Sequence, residues 1–439
     1  MRKQNSKIGR PRKVFQQGDA LLSFTGRSVT SHAGMAIVAR GMEHFNIREE
    51  LKRCTEDLDV STKYPTWQFL EQLVCLRTIG GEAMSDSPLL GDPAMMALCG
   101  WDGLADPTTF SRRLGRMRWI HNLGLEKIVT GLAERVRKPG KRLIAVDSTV
   151  ASVFGEHIQG AELGYNPHKP GRDSYHPVLA VDVAARSVVD GYLRPGSCAS
   201  AHGLDGFVRK LIAESTHPPE QTIFRLDKGL TSGAILDTIE AHEAGYVAKV
   251  KLTSKVMGNI SRIKKWRCFG KGHFAANIRC QLDGWQHPRR MVVIERNLPP
   301  RKPDAQLPLF DWMEGRYEVV VTNLSMRAES IWRLYNRGTV VEQVIEELKN
   351  DFAAVSIRTK NFWANDALFL TGLIAYNLFN CIRRHGLPKA LRTARIKRIG
   401  LLLLYLPANV VCRSRKLWIK IRRDHPMRLV FYQVMAALQ

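Results

Sequence analysis

The sequence predicts an α/β protein in which a mixed sheet follows an all-α region and precedes a basic helical region. Three observations lead to this fold class. Before residue 138, apolar residues recur at spacings of three and four, which is typical of helices. After Pro139 and Gly140, short β-branched runs alternate with helical segments, which favours a mixed sheet with helices packed on it. Beyond residue 385, the apolar segments carry many positive charges.

The charge balance indicates a polyanionic partner. Lys and Arg number 66 against 41 Asp and Glu, which gives a formal net charge of +25. A surplus of this size favours nucleic acid or an anionic membrane surface over neutral metabolites. The hydrophobic fraction of 44% is enough for a substantial buried core.

The sequence also indicates the cellular compartment. The longest apolar run, residues 399–412, contains Pro407 and is shorter than the roughly 20 residues that a membrane helix needs. No apolar stretch follows the positive N-terminus, so we expect no signal peptide, no membrane partner and a cytoplasmic, nucleoid-associated protein. The 8 cysteines include no C-x-x-C pair, which predicts reduced thiols and no structural zinc.

Residues 1–20 are predicted to form a flexible basic arm. Residues 1–17 contain positive charges and no acid, and they have too little apolar surface to fold alone. Their centre, GRPRK with Arg10 and Arg12, resembles the AT-hook, which lies in the narrow minor groove of A/T-rich DNA. The alternative is a solvated tail that contacts phosphates without sequence preference.

Residues 21–138 are predicted to form a helical DNA-binding domain. The segment DPTTFSRRLGRMRWI begins with a helix-cap candidate, Asp106, and places Arg112, Arg113 and Arg116 on a short basic helix. A helix and a glycine-containing turn precede it, so the segment is interpreted as the second helix of a helix-turn-helix. The alternative is an exposed basic helix in an all-α domain.

The remaining elements follow in order. Residues 139–252 contain the strand KRLIAVDST, the hairpin SYHPVLAVDVAARSVVDGYLRPG, the strand QTIFRLDKG, a helix and the strand YVAKVKL. Residues 253–315 become irregular, which indicates an insertion. Residues 316–385 resume the pattern with the strand RYEVVVTNL and one long helix, IWRLYNRGTVVEQVIEELKNDF. Residues 386–439 are predicted to form the basic helical C-terminal region.

Two carboxylates stand directly after predicted strands. Asp147 follows LIAV and Asp227 follows IFRL. Reactive groups in open α/β sheets gather where strands end, so the two acids could converge on one cation, and carboxylate oxygens suit Mg²⁺ or Mn²⁺. An Asp in this position can equally be a turn former or a helix cap. Other acids compete with Asp227 for the role, namely Asp182, Asp190 and Asp205.

The predicted long helix supplies a third acid. Glu342 and Lys349 are seven residues apart and lie nearly in line on a helix of 3.6 residues per turn, beside the apolar stripe. Glu346 is the alternative to Glu342 on the same side. A solvated array of surface charges would show a similar pattern.

At these residues the chain resembles a known family. YNRGTVVEQVIEELKNDF is similar to the Tyr-Arg-Glu-Lys signature of DDE-type insertion-sequence transposases (transposase DDE domain group 1), with Tyr335, Arg337, Glu342 and Lys349 in those roles. Arg337 stands one residue closer to the Tyr than is usual, which leaves its role open. AVDSTV resembles the first-Asp motif, YNPHKPGRDSYHPVLAVD the following hairpin and RLDKGL the second-Asp motif, although the family often has Phe where Leu230 stands. The resemblance covers residues 142–384.

The resemblance implies a ribonuclease-H-like core that a mainly β insertion interrupts at residues 253–315, with a DNA-end-binding domain before it. Asp147, Asp227 and Glu342 would together bind two Mg²⁺ ions, for which Mn²⁺ can substitute, in order to transfer phosphoryl groups. The remaining signature residues would contact DNA phosphates near the cut: Tyr335, Arg337 and Lys349.

We expect a homodimer on paired ends of double-stranded DNA, because both ends must be held together, and the resemblance implies a hairpin intermediate at the excised end. The sequence has no G-x-x-x-x-G-K-[ST] loop, which agrees with a reaction that uses no ATP. A tryptophan that stacks on a flipped base would suit hairpin formation. The candidates are Trp266, Trp285 and Trp312, and the sequence does not choose among them.

Two rival functions share much of this pattern. One is a catalytically inactive, sequence-specific DNA-binding protein of transposase origin, against which the intact carboxylates count. The other is a metal-dependent nuclease that cuts without joining, which recognition of paired ends would distinguish. We expect the histidines near the hairpin to be loop or core residues, because Mg²⁺ has little preference for imidazole. They are His157, His168 and His176.

Overall fold

The computed structural model describes most of the chain. The described residues are 28–59, 64–167, 169–198, 201–270, 272–296, 315–357, 359–414 and 416–439. The backbone is also described for two short strands that pair antiparallel, β1 (Phe15–Gln17) and β2 (Ala20–Leu22). Four residues named above lie outside the described residues: Arg10, Arg12, His168 and Trp312.

Helices dominate the described chain between residues 28 and 138. The strand β3 (Val29–Thr30) is followed by α1 (Met35–His44), α2 (Ile47–Cys54), α3 (Thr66–Thr78), α4 (Pro93–Cys99), α5 (Pro107–Leu114) and α6 (Trp119–Arg135). Both α4 and α5 begin with a proline behind an aspartate cap. The carboxylates of Asp92 and Asp106 accept hydrogen bonds from the backbone N–H groups of Ala94 and Thr108. These caps fix where the two helices begin.

Helix α5 is shorter than the predicted basic helix. It ends at Leu114, since Gly115 is its C-cap and glycine is a poor helix former. Arg112 is exposed, whereas Arg113 is partly buried, with Nη1 3.5 Å from the Leu58 carbonyl. Arg116 lies beyond the helix, so its predicted place on the helix is wrong.

A nine-stranded mixed sheet forms the centre of the protein, which confirms the mixed α/β class. Its strands are β4 (Arg142–Ser148), β7 (Val178–Asp182), β8 (Ser187–Tyr192), β9 (Thr222–Leu226), β10 (Gly245–Lys249), β11 (Arg267–Cys268), β12 (His273–Cys280), β13 (Arg289–Arg296) and β14 (Tyr317–Thr322). Their spatial order is β11-β12-β13-β14-β10-β9-β4-β7-β8. β9 pairs parallel with both β4 and β10, and the other neighbours pair antiparallel. The strands β5 (Ala151–Ser152) and β6 (Ser174–Tyr175) form a separate pair.

Different helices cover the two faces of the sheet. One face packs against α7 (Leu204–Ala213), α8 (Gly233–Ala241) and α9 (Ser254–Ile260), and it includes Ile144, Val146, Phe224 and Leu226. The other face packs against α10 (Ala328–Arg337), α11 (Val340–Asn350) and α12 (Phe362–Gly386), and it includes Leu143, Ala145 and Ile223. Side chains alternate along a strand, so Asp147 and Asp227 belong to this second face.

The segment that the sequence predicts as one long helix consists of two, α10 and α11. The break falls at Gly338 and Thr339, where Gly338 lies against Arg225. After the break, α11 contacts β4, whereas α10 lies over β10, β13 and β14. The single-helix prediction is therefore wrong, because the helix is interrupted at a glycine that packs against Arg225.

The predicted insertion adds strands to the central sheet. The strands β11, β12 and β13 extend it beyond β14, which β13 pairs with directly. Residues 297–314 lie outside the described residues.

The C-terminal region is not wholly helical, which corrects the prediction. Between α13 (Ile396–Ile399) and α14 (Arg428–Ala437), the strands β15 (Ala408–Arg413) and β16 (Lys416–Ile421) form an antiparallel hairpin. β15 also pairs with β3. The sequence KLWIKI has the period of two of a strand, and Ser414 adopts a φ of 50° in the turn.

One hydrophobic core joins the N-terminal helices to the sheet through α12. This helix contacts α3, α6 and β8 and is buried along most of its length. Asn377 of α12 forms the joint between α6 and β8, because its side chain makes hydrogen bonds to the backbone of both elements. Its Nδ2 donates to the carbonyls of Val129 at 2.9 Å and Val188 at 2.7 Å, and its Oδ1 accepts from the Val188 N–H at 3.0 Å.

Within the described parts of the chain, no helix has the length and apolar content that crossing a membrane requires.

Replacing Asn377 tests the role of this joint. Asn377→Ala removes the side-chain partner of the Val188 N–H and carbonyl and of the Val129 carbonyl, and we expect it to lower the free energy of unfolding by about 2–4 kcal/mol. Asn350→Ala removes an exposed asparagine at the end of α11 and should change it by less than about 0.5 kcal/mol. Denaturant unfolding compares the two variants, and equal effects would contradict the assignment.

Candidate active site

Two carboxylates lie side by side at one edge of the sheet. The parallel pairing of β4 with β9 sets Val146 opposite Leu226. Asp147 directly follows Val146 in the chain, and Asp227 directly follows Leu226, so the two aspartates are neighbours. Both side chains are partly buried and belong to the face that α10, α11 and α12 cover. Their adjacency follows from the register of one parallel pair.

Glu342 brings a third carboxylate to this edge. It stands exposed in the first turn of α11, whose residues Val341, Val344 and Leu348 are buried. The pKa of Asp147 is raised to about 6, mainly by burial and further by the negative charges of Asp227 and Glu342. The backbone N–H of Ser148, which donates to Asp147 Oδ1 at 2.8 Å, and the charge of Arg225 oppose this rise. The three acids thus share one electrostatic environment.

Lys349 lies on the same side, two turns further along α11. Burial lowers the pKa of its ammonium group, while the negative charge of Asp147 acts in the opposite direction. Glu346, the alternative acid, forms an ion pair with Arg395, whose Nη2 lies 3.1 Å from Glu346 Oε1. The side chain of Glu346 is therefore engaged with the C-terminal region.

Tyr335 supports Asp227 from α10. Its hydroxyl donates a hydrogen bond to Asp227 Oδ1 at 3.1 Å. The Tyr335 side chain is buried, and burial is the main reason why its pKa lies well above the ordinary value. The tyrosine therefore remains a neutral donor at physiological pH.

Sequence reasoning missed Arg225, a buried residue of β9. Its guanidinium lies 4.6 Å from the centre of the Tyr335 ring, and its Nε has no hydrogen-bond partner among the described residues. A methyl group at Gly338 would lie only 2.7 Å from Arg225 Cδ. The available signal was a cation inside the apolar strand TIFRL, two residues before Asp227.

Arg337 has no comparable contact. It is exposed at the last position of α10, and it makes no hydrogen bond or ion pair with the described residues. Its side chain is free to meet a ligand that approaches the break between α10 and α11.

Two of the other three acids considered from the sequence have structural partners. Asp182 pairs with Arg142 at 2.9 Å and accepts from the N–H groups of Ala184 and Ala185. Asp190 pairs with Lys210 at 2.8 Å. Asp205 stands partly buried in the first turn of α7. Asp182 and Asp190 are thus held in structural ion pairs.

The candidate histidines and tryptophans that fall within the described residues lie in loops or in packed positions. His157 is an exposed loop residue, and His176 is buried with Nδ1 3.3 Å from the Cys198 carbonyl. Trp285 is buried, with the Arg289 guanidinium 5.1 Å from its ring. Trp266 is partly buried and packs against Tyr317.

A tighter group of possible metal ligands occurs elsewhere. Among the described residues, ligand atoms of Asp237, Glu240 and His287 lie within 4.8 Å of one another. Arg289 already fills this group, because its guanidinium donates to Asp237 and to both Glu240 oxygens. The group is therefore a charge network around an arginine, whereas Asp147, Asp227 and Glu342 are not packed that closely together.

The family model for the transposase DDE domain, group 1, matches residues 13–439. The chain belongs to this family. Membership makes it a DNA transposase, an enzyme that cleaves DNA. Among solved structures, the chain is similar to the cryo-EM structure of a piggyBac transposase synaptic complex with hairpin DNA, with 11% sequence identity and a TM-score of 0.42 over 85% of this chain and 84% of that chain. No curated protein matches the transposase.

Glycine at position 338 is required by the packing of Arg225. Gly338→Ala forces a methyl group against the buried arginine, and we expect a loss of about 1–3 kcal/mol in the free energy of unfolding. Gly131→Ala, in α6 with open space around it, should instead raise stability by up to about 1 kcal/mol. Thermal or denaturant unfolding separates the two variants, and a neutral Gly338→Ala would contradict the packing argument.

Asp147 gives the metal-free protein a specific pH dependence. Its native pKa of about 6 lies above the unfolded value of about 4. The native state therefore binds more protons between these values, and wild type loses stability as the pH rises from about 4 to about 6. We expect Asp147→Asn to be more stable than wild type above pH 6, by up to about 2 kcal/mol, and similar to it near pH 4. Unfolding in EDTA measures the difference, and a difference independent of pH would refute this account.

Proposed function

We propose that this transposase binds the terminal inverted repeats of an insertion sequence and cleaves and joins DNA at Asp147, Asp227 and Glu342. The proposal rests on one observation: two acids lie side by side where two parallel strands finish, and α11 adds a third acid to the same electrostatic environment. In this proposal, β4 and β7–β10 form a ribonuclease-H-like core, and β11–β13 belong to an insertion that extends its sheet.

The donor chemistry of the three residues fits Mg²⁺, for which Mn²⁺ can substitute. All three offer hard carboxylate oxygens, and no imidazole lies among them. Burial and mutual repulsion hold the pKa of Asp147 high, a cost that a divalent cation would relieve. Two bound ions supply activation of the attacking oxygen and stabilisation of the leaving oxygen in an in-line displacement.

The residues around the acids orient them and the DNA. Tyr335 holds one oxygen of Asp227 and leaves the other available. Arg225 lies behind this pair and favours the ionised form of Asp147. Lys349 and the exposed Arg337 present cations to phosphates near the cut, and cationic side chains suit that role.

The proposed assembly is a homodimer on double-stranded DNA, because both ends of the element must be held together during transfer. Residues of the helical region and of the N-terminal arm contact the ends, namely Arg112, Arg113, Arg116, Arg10 and Arg12. The freed 3′-hydroxyl attacks a second phosphodiester, so the reaction needs no ATP, and the excised end passes through a hairpin. The protein acts in the cytoplasm on the nucleoid.

A cleavage and joining assay tests the proposal. We expect Asp147→Asn, Asp227→Asn and Glu342→Gln each to lower cleavage of end-bearing DNA more than about 100-fold, since each removes a ligand contributing several kcal/mol. End binding should persist. Glu346→Gln, one turn further along α11, is the matched control and should retain activity.

Several outcomes oppose the proposal. Cleavage by wild type in EDTA would exclude the metal mechanism. Binding of ends without any chemistry would favour an inactive DNA-binding protein, and cleavage without joining would favour a nuclease. Activity in Glu342→Gln together with loss of activity in Glu346→Gln would show that Glu346, and not Glu342, is the third catalytic acid.

A further inference from the structure

The C-terminal ribbon, composed of β15 and β16, has two chemically different faces. Directly paired residues of an antiparallel hairpin share a face. The pairs Ala408/Ile421 and Val410/Ile419 form the inner face. Ala408, Ile419 and Ile421 belong to or pack on a small hydrophobic cluster with Leu406 and Ala33, and Val410 is buried. The pairs Asn409/Lys420, Val411/Trp418 and Arg413/Lys416 form the outer face.

The outer face is cationic with an aromatic centre. Arg413, Lys416 and Lys420 are exposed, and none of them forms an ion pair with the described residues. Trp418 stands among them with 54% of its surface exposed. The nearest acid along the chain is Asp424, and its carboxylate already pairs with Arg422 at 2.8 Å. More than half of the Trp418 surface is therefore accessible to a ligand.

The ribbon is fixed beside the helical region. β15 pairs with β3, and α4 contacts both strands. The Ala33 N–H donates to the Leu406 carbonyl at 2.9 Å, and a side chain at Gly34 would collide with the Leu403 carbonyl. The ribbon therefore lies next to α4, the first helix of the predicted helix-turn-helix, in a defined orientation.

We propose that the outer face of the C-terminal ribbon binds duplex DNA, an inference that rests on the proposed transposase function. A two-stranded ribbon has the width that the major groove admits. Lys416, Lys420 and Arg413 contact phosphates, and Trp418 packs against the sugar-phosphate wall between them.

A second copy of the chain is the other partner to consider, and the charges disfavour it. In a two-fold dimer the same patch faces itself. The three cations of each ribbon would then oppose the three cations of the other, with no acid on either face to neutralise them. A polyanion would neutralise the positive charges of the outer face, whereas a second copy of the chain would not.

Binding of end-bearing duplex DNA at several salt concentrations tests the ribbon. Lys416→Gln/Lys420→Gln removes two phosphate contacts, so we expect affinity to fall about tenfold or more near physiological salt and the slope of log K against log salt to decrease by about 2. Trp418→Ala should weaken binding with the slope unchanged. The matched control is Lys138→Gln/Lys141→Gln, which removes two exposed charges near the start of β4 and should leave the slope within about 0.5 of wild type.

The proposed function and the ribbon proposal fail in different ways. Wild type that binds DNA but does not cut it contradicts the catalytic proposal, and a reduced salt slope in the lysine variant still supports the ribbon. Wild-type cleavage with unchanged slopes and affinities in the ribbon variants overturns the ribbon proposal alone. Sedimentation without DNA tests whether a second copy of the chain binds this face. If wild type forms a dimer that dissociates in Trp418→Ala, while DNA affinity per monomer is unchanged, the face is a protein interface and the ribbon proposal is overturned.

Discussion

The parallel pairing of β4 with β9 is the constraint on which the candidate site depends. It sets Asp147 beside Asp227 and turns both to the face that α10–α12 cover. A slip of one residue in either strand would send one carboxylate to the opposite face, among the residues that pack on α7 and α8. The same register puts Ala145 beside Arg225, so a small residue neighbours the large buried cation. The chemistry of this edge is therefore decided by hydrogen bonds between main chains.

The site is electrostatically costly without a ligand. Three acids share one edge, burial raises the pKa of Asp147, and Arg225, whose charge opposes this rise, is a buried arginine whose Nε has no hydrogen-bond partner among the described residues. Active sites commonly retain such unfavourable arrangements, which stability alone would remove. The remaining contacts limit the cost, because the hydroxyl of Tyr335 and the N–H of Ser148 each satisfy one carboxylate oxygen.

The sequence predicted much of the sheet because its signal is local. The apolar runs before Asp147 and Asp227 correspond to β4 and β9, and the predicted hairpin that contains Asp190 corresponds to β7 and β8. The family match confirms the resemblance, while the roles of the individual site residues stay predictions. The glycine at position 338 was a local signal for the break, because glycine is a poor helix former, whereas its contact with Arg225, more than a hundred residues away, could not be predicted from a local pattern. The basic character of residues 408–421 suggested a helix, and the alternation that marks a ribbon was overlooked.

Asn377 and the continuous core around α12 have a mechanical consequence. The same buried side chains pack against α3, α6 and β8, and only residues 136–141 separate α6 from β4. The helical region and the sheet are therefore packed together and are not joined by a long flexible linker. A duplex seated on the helical region would meet the carboxylates at a preset number of base pairs from its point of attachment. The packing of α12 would then fix the length of DNA between the recognised sequence and the cut.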